Sequence, residues 1–129
     1  MSAASDYVEN LALEWLLTSN SATRPTAWYI GLHTADPTDA GTGTEVSTSG
    51  TAYAREAVSF TVTNDTASNS ATVTFSAATA NWGTITHVGV WDSLSGGELL
   101  FHGAVTTSKT IETGDTFQIS SGNLDITLA

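Results

Sequence analysis

Apolar residues recur along this chain at two periods, and the change from one to the other divides it. Over residues 5–17, Val8, Leu11, Ala12 and Trp15 fall at i, i+3, i+4 and i+7, which predicts an amphipathic helix. Ser5 is placed to cap it, and Asp6 and Glu9 sit where the helix dipole favours acids. Leu13, Leu16 and Leu17 widen the apolar stripe beyond what packing on one sheet edge requires. After a linker at residues 18–26 with Asn20, Ser21, Arg24 and Pro25, the period becomes two. Residues 27–33 put Trp28, Ile30 and Leu32 on one face of a strand, with Tyr29 and His33 on the other. Residues 35–51 have no apolar period and predict a long surface loop. A hairpin is predicted from residues 53–63, where Val58, Phe60 and Val62 alternate, to residues 71–76 with Val73 and Phe75, turning through residues 64–69.

The clearest pattern lies further on. Residues 84–91 and 98–105 are rich in β-branched and aromatic side chains and flank Asp92-Ser93-Leu94-Ser95-Gly96-Gly97, which predicts a second hairpin. Its first strand carries Val88 and Val90 on one face and Ile85, His87, Gly89 and Trp91 on the other, as a strand in the middle of a two-layer structure would. Residues 106–110 and 112–115 read as turns, and residues 116–120 and 124–128 as strands joined by a tight turn at Ser121-Gly122-Asn123. The predicted fold is all-β, an antiparallel β-sandwich of jelly-roll type with one N-terminal amphipathic α-helix. A single domain spans residues 1–129, with 1–20 as helix and arm and 27–129 as the sandwich. Nothing after Leu17 could serve as a crossover helix, which excludes βαβ units. The expected core is Trp28, Ile30, Phe60, Phe75, Val88, Val90, Phe101, Phe117, Ile119 and Ile126.

Composition narrows the function. Charged residues are only 12% of the chain, about half the usual share, and 23 Thr and 15 Ser fill the difference. The surface is therefore hydroxyl-rich, which suits outward strand positions. Thirteen acids stand against Arg24, Arg55 and Lys109, a formal charge of -10 that repels phosphate backbones, so no direct nucleic-acid binding is expected. With no cysteine there is no disulfide framework and no thiolate metal site. The absence of a basic N-terminal region and of any run of 18 apolar residues predicts a soluble chain without signal peptide or membrane contact.

Candidate chemistry is sparse. His87 and His102, on the two strands of the second hairpin, could meet across the ladder and hold a metal, although hydrogen-bonded histidines on a half-buried face are commoner. Asp36, Asp39 and Glu45 could feed a calcium site, but not at the EF-hand spacing. Glu56, Asp92, Glu98 and Glu112 lie near strand ends where a glycosidase would place its paired acids, and where surface acids also belong. Trp28, Trp82 and Trp91 could offer a sugar platform; Trp28 and Trp91 occupy core positions, which leaves Trp82 as the exposed one. No phosphate loop, nucleophile elbow or dinucleotide fingerprint occurs. The expectation is a protein with no enzymatic activity, no cofactor and no metal.

Four stretches together, Leu11-Ala12-Leu13-Glu14-Trp15-Leu16-Leu17, residues 24–41, Tyr53-Ala54-Arg55 and residues 82–90, resemble a family of small tailed-bacteriophage virion proteins labelled tail fibre or minor structural proteins. The likeness runs from about residue 10 to the C-terminus, and related sandwiches also serve as capsid cement. The resemblance implies a virion structural protein, assembled in the host cytoplasm and without catalytic residues. A compact module without fibre-shaft repeats favours a capsid decoration or cement protein that docks on the major capsid protein or other virion proteins. The alternative is a tail-fibre or tail adaptor component that binds a receptor or sugar. The wide helix stripe and the long loop predict a homo-oligomer, a trimer for preference. The expected interaction surface comprises Val8, Leu11, Trp15, Asp36, Asp39 and Trp82.

Overall fold

The computed structural model describes residues 3–128; residues 1, 2 and 129, the ends of the expected domain, lie outside the described residues. The helix stands where the apolar period predicts it. It is α1, Asp6–Leu17, capped by Ser5, whose Oγ accepts from the Val8 amide at 3.2 Å. Residues before the helix do more than form an arm, because Ala3–Ala4 make a short strand, β1. The remaining strands are β2 Tyr29–His33, β3 Glu56–Ala57, β4 Phe60–Thr63, β5 Thr66–Asn69, β6 Val73–Thr74, β7 Gly83–Trp91, β8 Leu99–Ile111, β9 Gln118–Ile119 and β10 Asp125–Thr127.

A five-stranded sheet in the order β1-β8-β7-β2-β3 is faced by a three-stranded sheet, β10-β5-β4, and a two-stranded one, β6-β9. All pairings among the described residues are antiparallel. Buried side chains from all three sheets form one core, so the fold is an antiparallel β-sandwich with a single N-terminal helix. Its centre is aromatic: the Phe75 ring lies 5.9 Å from Phe117, 6.1 Å from Tyr53 and 6.4 Å from Trp82. Ile30, Phe75, Val88, Val90, Phe117 and Ile126 are buried as expected, whereas Trp28, Phe60, Phe101 and Ile119 are half-buried at the rim of the core.

Several local readings change, among them the expected strand over residues 53–63, which divides into β3 and β4 in different sheets. Residues 64–69 are not a loop: the chain turns on Asn64 and Asp65, with Asn64 at φ 56°, and Thr66–Asn69 returns as β5 against β4. Asparagine tolerates the left-handed conformation that such a turn requires, and the returning strand is too polar to leave an apolar period. Val73–Thr74 therefore pairs with β9 instead of closing the first hairpin. Residues 106–110 are not a turn but the exposed continuation of β8, with Thr110 opposite Thr84. A register shift between Ile85 and His87 moves Ile85 from the His87 face to the core that holds Val88 and Val90.

Candidate interaction surface

The loop over residues 35–51 is tied to the end of β2 through residues 44–46. The Val46 amide donates to Leu32 O at 3.0 Å, and Glu45 bridges to His33. Tyr53 and Arg55, two residues apart on an extended segment, both reach the Glu45 carboxylate. Arg55 donates through Nε and Nη2 to its two oxygens at 2.8 Å each, and the Tyr53 hydroxyl donates to Oε2 at 2.6 Å. Arg55 Nη1 donates to Ser93 O and Gly96 O, and the guanidinium lies 3.9 Å from the centre of the Trp91 ring. One cation thus joins the long loop, the turn between β7 and β8, and the sheet. Arg55 is only 7% exposed, a position the sequence reading did not give it.

Gly31 and Gly89 face each other across β2 and β7, and their missing side chains make room for this layer. A Cβ on Gly31 would stand 2.9 Å from Trp91 Nε1, and one on Gly89 3.0 Å from both Trp91 Nε1 and His33 Nε2. Among the described residues, those two buried nitrogens have no hydrogen-bond partner. Burial, against the opposing pull of Glu45, pushes the His33 ring down to about 4, so it is neutral at physiological pH. Burial would raise the Glu45 carboxyl, but the bonds from Arg55 and Tyr53 outweigh it and hold Glu45 below its usual range. The Tyr53 hydroxyl is pushed up, by burial first and then by Glu45.

The expected site residues are distributed as follows. Asp36 and Asp39 both engage His102, at 3.2 Å to Nδ1 and 2.7 Å to Nε2. Asp36 is further held below its ordinary range, chiefly by the Thr38 amide at 2.9 Å. Glu45 turns inward to Arg55, so the trio Asp36, Asp39 and Glu45 does not converge. Among the described residues, three carboxylates do gather within 4.8 Å at the N-terminus of α1, those of Asp6, Glu9 and Asp39. His87 and His102 do not meet across the ladder: His87 stands opposite His33 and Ala104, and His102 opposite Gly89. Trp82 corrects the sequence reading most sharply. It is 5% exposed, its Nε1 donates to Thr51 O at 2.9 Å, and its ring meets Tyr53 edge-on at 5.3 Å, so it offers no platform to a sugar.

The helix has two apolar flanks. Val8 packs on the sandwich core, while Leu11, Ala12 and Trp15 line a cleft of about 310 Å³ with Ala22, Arg24 and Pro25. Leu13, Leu16 and Leu17, at i, i+3 and i+4, form an outward ridge that is 58%, 67% and 76% exposed. A second apolar groove, of about 390 Å³, opens between the layers at Trp28, Phe60, Val62, Phe101 and Leu128, with Asn64, Asp65 and Thr66 at its edge. Among the described residues no helix is long and apolar enough to cross a membrane.

On a hydroxyl-rich surface the candidate contacts are thus one apolar ridge and two apolar grooves, carried by a sandwich whose largely buried acid, base and aromatic side chains brace the loops. No curated protein is similar to the chain at a significant level. A family model described as "Podophage GP4 fiber I protein gp80" matches residues 3–127, which takes in the helix and every strand from β1 to β10. With a match of that extent, the chain belongs to this podophage fibre protein family and is a phage virion structural protein.

Proposed function

We propose that the chain is a component of the tail fibre of a podophage-type particle, and that it acts through surfaces that bind other virion proteins, without enzymatic activity. The family match over residues 3–127 carries this reading, because its description is of a fibre protein. That favours the tail-fibre alternative over decoration of the head. The site supports it through its organisation: Arg55, Glu45 and Tyr53 spend their polar groups on one another, and His102 on Asp36 and Asp39, so they act as braces. What the sandwich leaves for a partner is the helix ridge and the two apolar grooves.

The test is the position and copy number of the chain in purified virions. Gold-labelled antibody and quantitative gels should find it at the tail, in numbers far below those of the major capsid protein. Labelling spread over the head at a copy number comparable to the capsid protein would restore the cement reading.

A further inference from the structure

The outward ridge of α1 and the groove between the sandwich layers are two unfilled apolar surfaces on one chain, and they match in kind. The ridge presents Leu13, Leu16 and Leu17 on adjacent turns of a helix whose C-terminal half has Glu14 as its one charge. The groove presents Trp28, Phe60, Val62 and Leu128, with Asp65 as its one charged residue. Each carries a single carboxylate in a chain of charge -10, so neither is the part of the surface that charge attraction would single out for a basic partner, and short leucine ridges in apolar grooves are a recurrent mode of helix recognition. The ridge of three leucines exposes on the order of 350 Å² of largely apolar surface, within the range of the largest patch on a monomer. In a reciprocal dimer each copy gives one ridge and receives another, about 700 Å² per partner, inside the roughly 600–1,000 Å² per partner of a standard specific interface.

We propose that the Leu13, Leu16 and Leu17 ridge of α1 docks in the Trp28, Phe60, Val62 and Leu128 groove of a second copy of this chain. Giver and receiver are different surfaces, so the contact closes either as a reciprocal dimer or as a ring such as a trimer. The linker of residues 18–28, which contains no regular element, joins the two surfaces and lets each copy satisfy both contacts.

Light scattering and sedimentation of the purified chain test this apart from its place in the particle, which the virion experiment decides. The parent protein should run as a dimer or trimer. Leu16→Asp and Val62→Asp should each give monomers, with association weakened about 100-fold or more, since each would bury an unpaired carboxylate at the contact. Both positions are exposed on the single chain, at 67% and 69%, so the circular dichroism of the monomers should match that of the parent, and their melting should stay cooperative, lowered only by the stabilisation that assembly adds. A photo-crosslinker at position 62 should capture residues 13–17 of another copy. A monomeric parent, or either variant remaining assembled, would overturn the proposal.

Discussion

Arg55 is one of three cations in the chain, and the fold buries it. Its guanidinium donates four hydrogen bonds, to Glu45, Ser93 and Gly96, so among the described residues its loss would leave the Glu45 carboxylate with the Tyr53 hydroxyl as its hydrogen-bond partner. Arg55→Leu should therefore destabilise the protein by about 3 to 5 kcal/mol in denaturant titrations. A cost under about 1 kcal/mol would mean that the carboxylate swings out to water instead. His33 supplies a second test, through acidity. Its folded value of about 4 lies below the ordinary 6.5, so between those pH values the unfolded chain holds a proton that the folded chain does not. Its contribution to stability is present above about pH 6.5 and disappears as pH falls toward 4, roughly 3 kcal/mol in all. Glu45 adds a loss of the same sign at lower pH, as pH falls through its depressed folded value. In melting curves, the stability difference between the parent and His33→Gln should shrink from pH 6.5 to 4; a constant difference would show that His33 titrates as in a free peptide.

At the level of the elements, the pair β2 and β7 is shaped as much by what it lacks as by what it carries. Gly31 opposite Gly89 lets the Trp91 ring lie close to the sheet beneath Arg55. The Gly89 backbone itself accepts any residue, since it is not among the glycines at positive φ, so the constraint there is space alone. A Cβ would meet Leu99 Cδ1 at 2.8 Å as well as the two buried nitrogens. Gly89→Ala should cost about 1 to 3 kcal/mol by overpacking, read as a lower melting temperature with unchanged secondary structure. Ala104, on the neighbouring strand β8 and exposed, is the control: Ala104→Ser should leave the melting temperature where it was.

For the molecule as a whole, the charge of -10 has to be carried by one small sandwich. Mutual repulsion of thirteen acids is long-ranged, while the ion pair of Arg55 with Glu45 is partly buried and weakly screened. Salt should therefore remove more repulsion than attraction. Raising ionic strength from about 0.01 to 0.1 M, which shortens the screening length from about 30 to 10 Å, should raise the melting temperature. A decrease would mean that the contacts of His102 with Asp36 and Asp39, which reach exposed carboxylates, outweigh the general repulsion.

The sequence by itself determined the class of fold and the elements whose pattern is local. The 3.6 period around Val8, Leu11 and Trp15 specified the helix, Ser5 its start, and the alternation of Val88 and Val90 the central strand. These depend on which face of an element is apolar, and that is written in consecutive residues. Period alone could not find β5, whose Thr66, Ala67, Ser68 and Asn69 are held by ladder bonds to β4 and β10, nor the bulge that turns Ile85 into the core. Of the expected surface, Asp36 and Asp39 were rightly placed in a loop, but their partner His102 lies more than sixty residues away. Glu45 and Arg55 carried one faint signal, Tyr53 and Arg55 at i and i+2 on an extended segment; that both point inward depends on sheet packing. Trp82 went deep for the same reason: its indole finds an acceptor at Thr51 and a cluster of rings, partners that exist only once distant segments have been brought together.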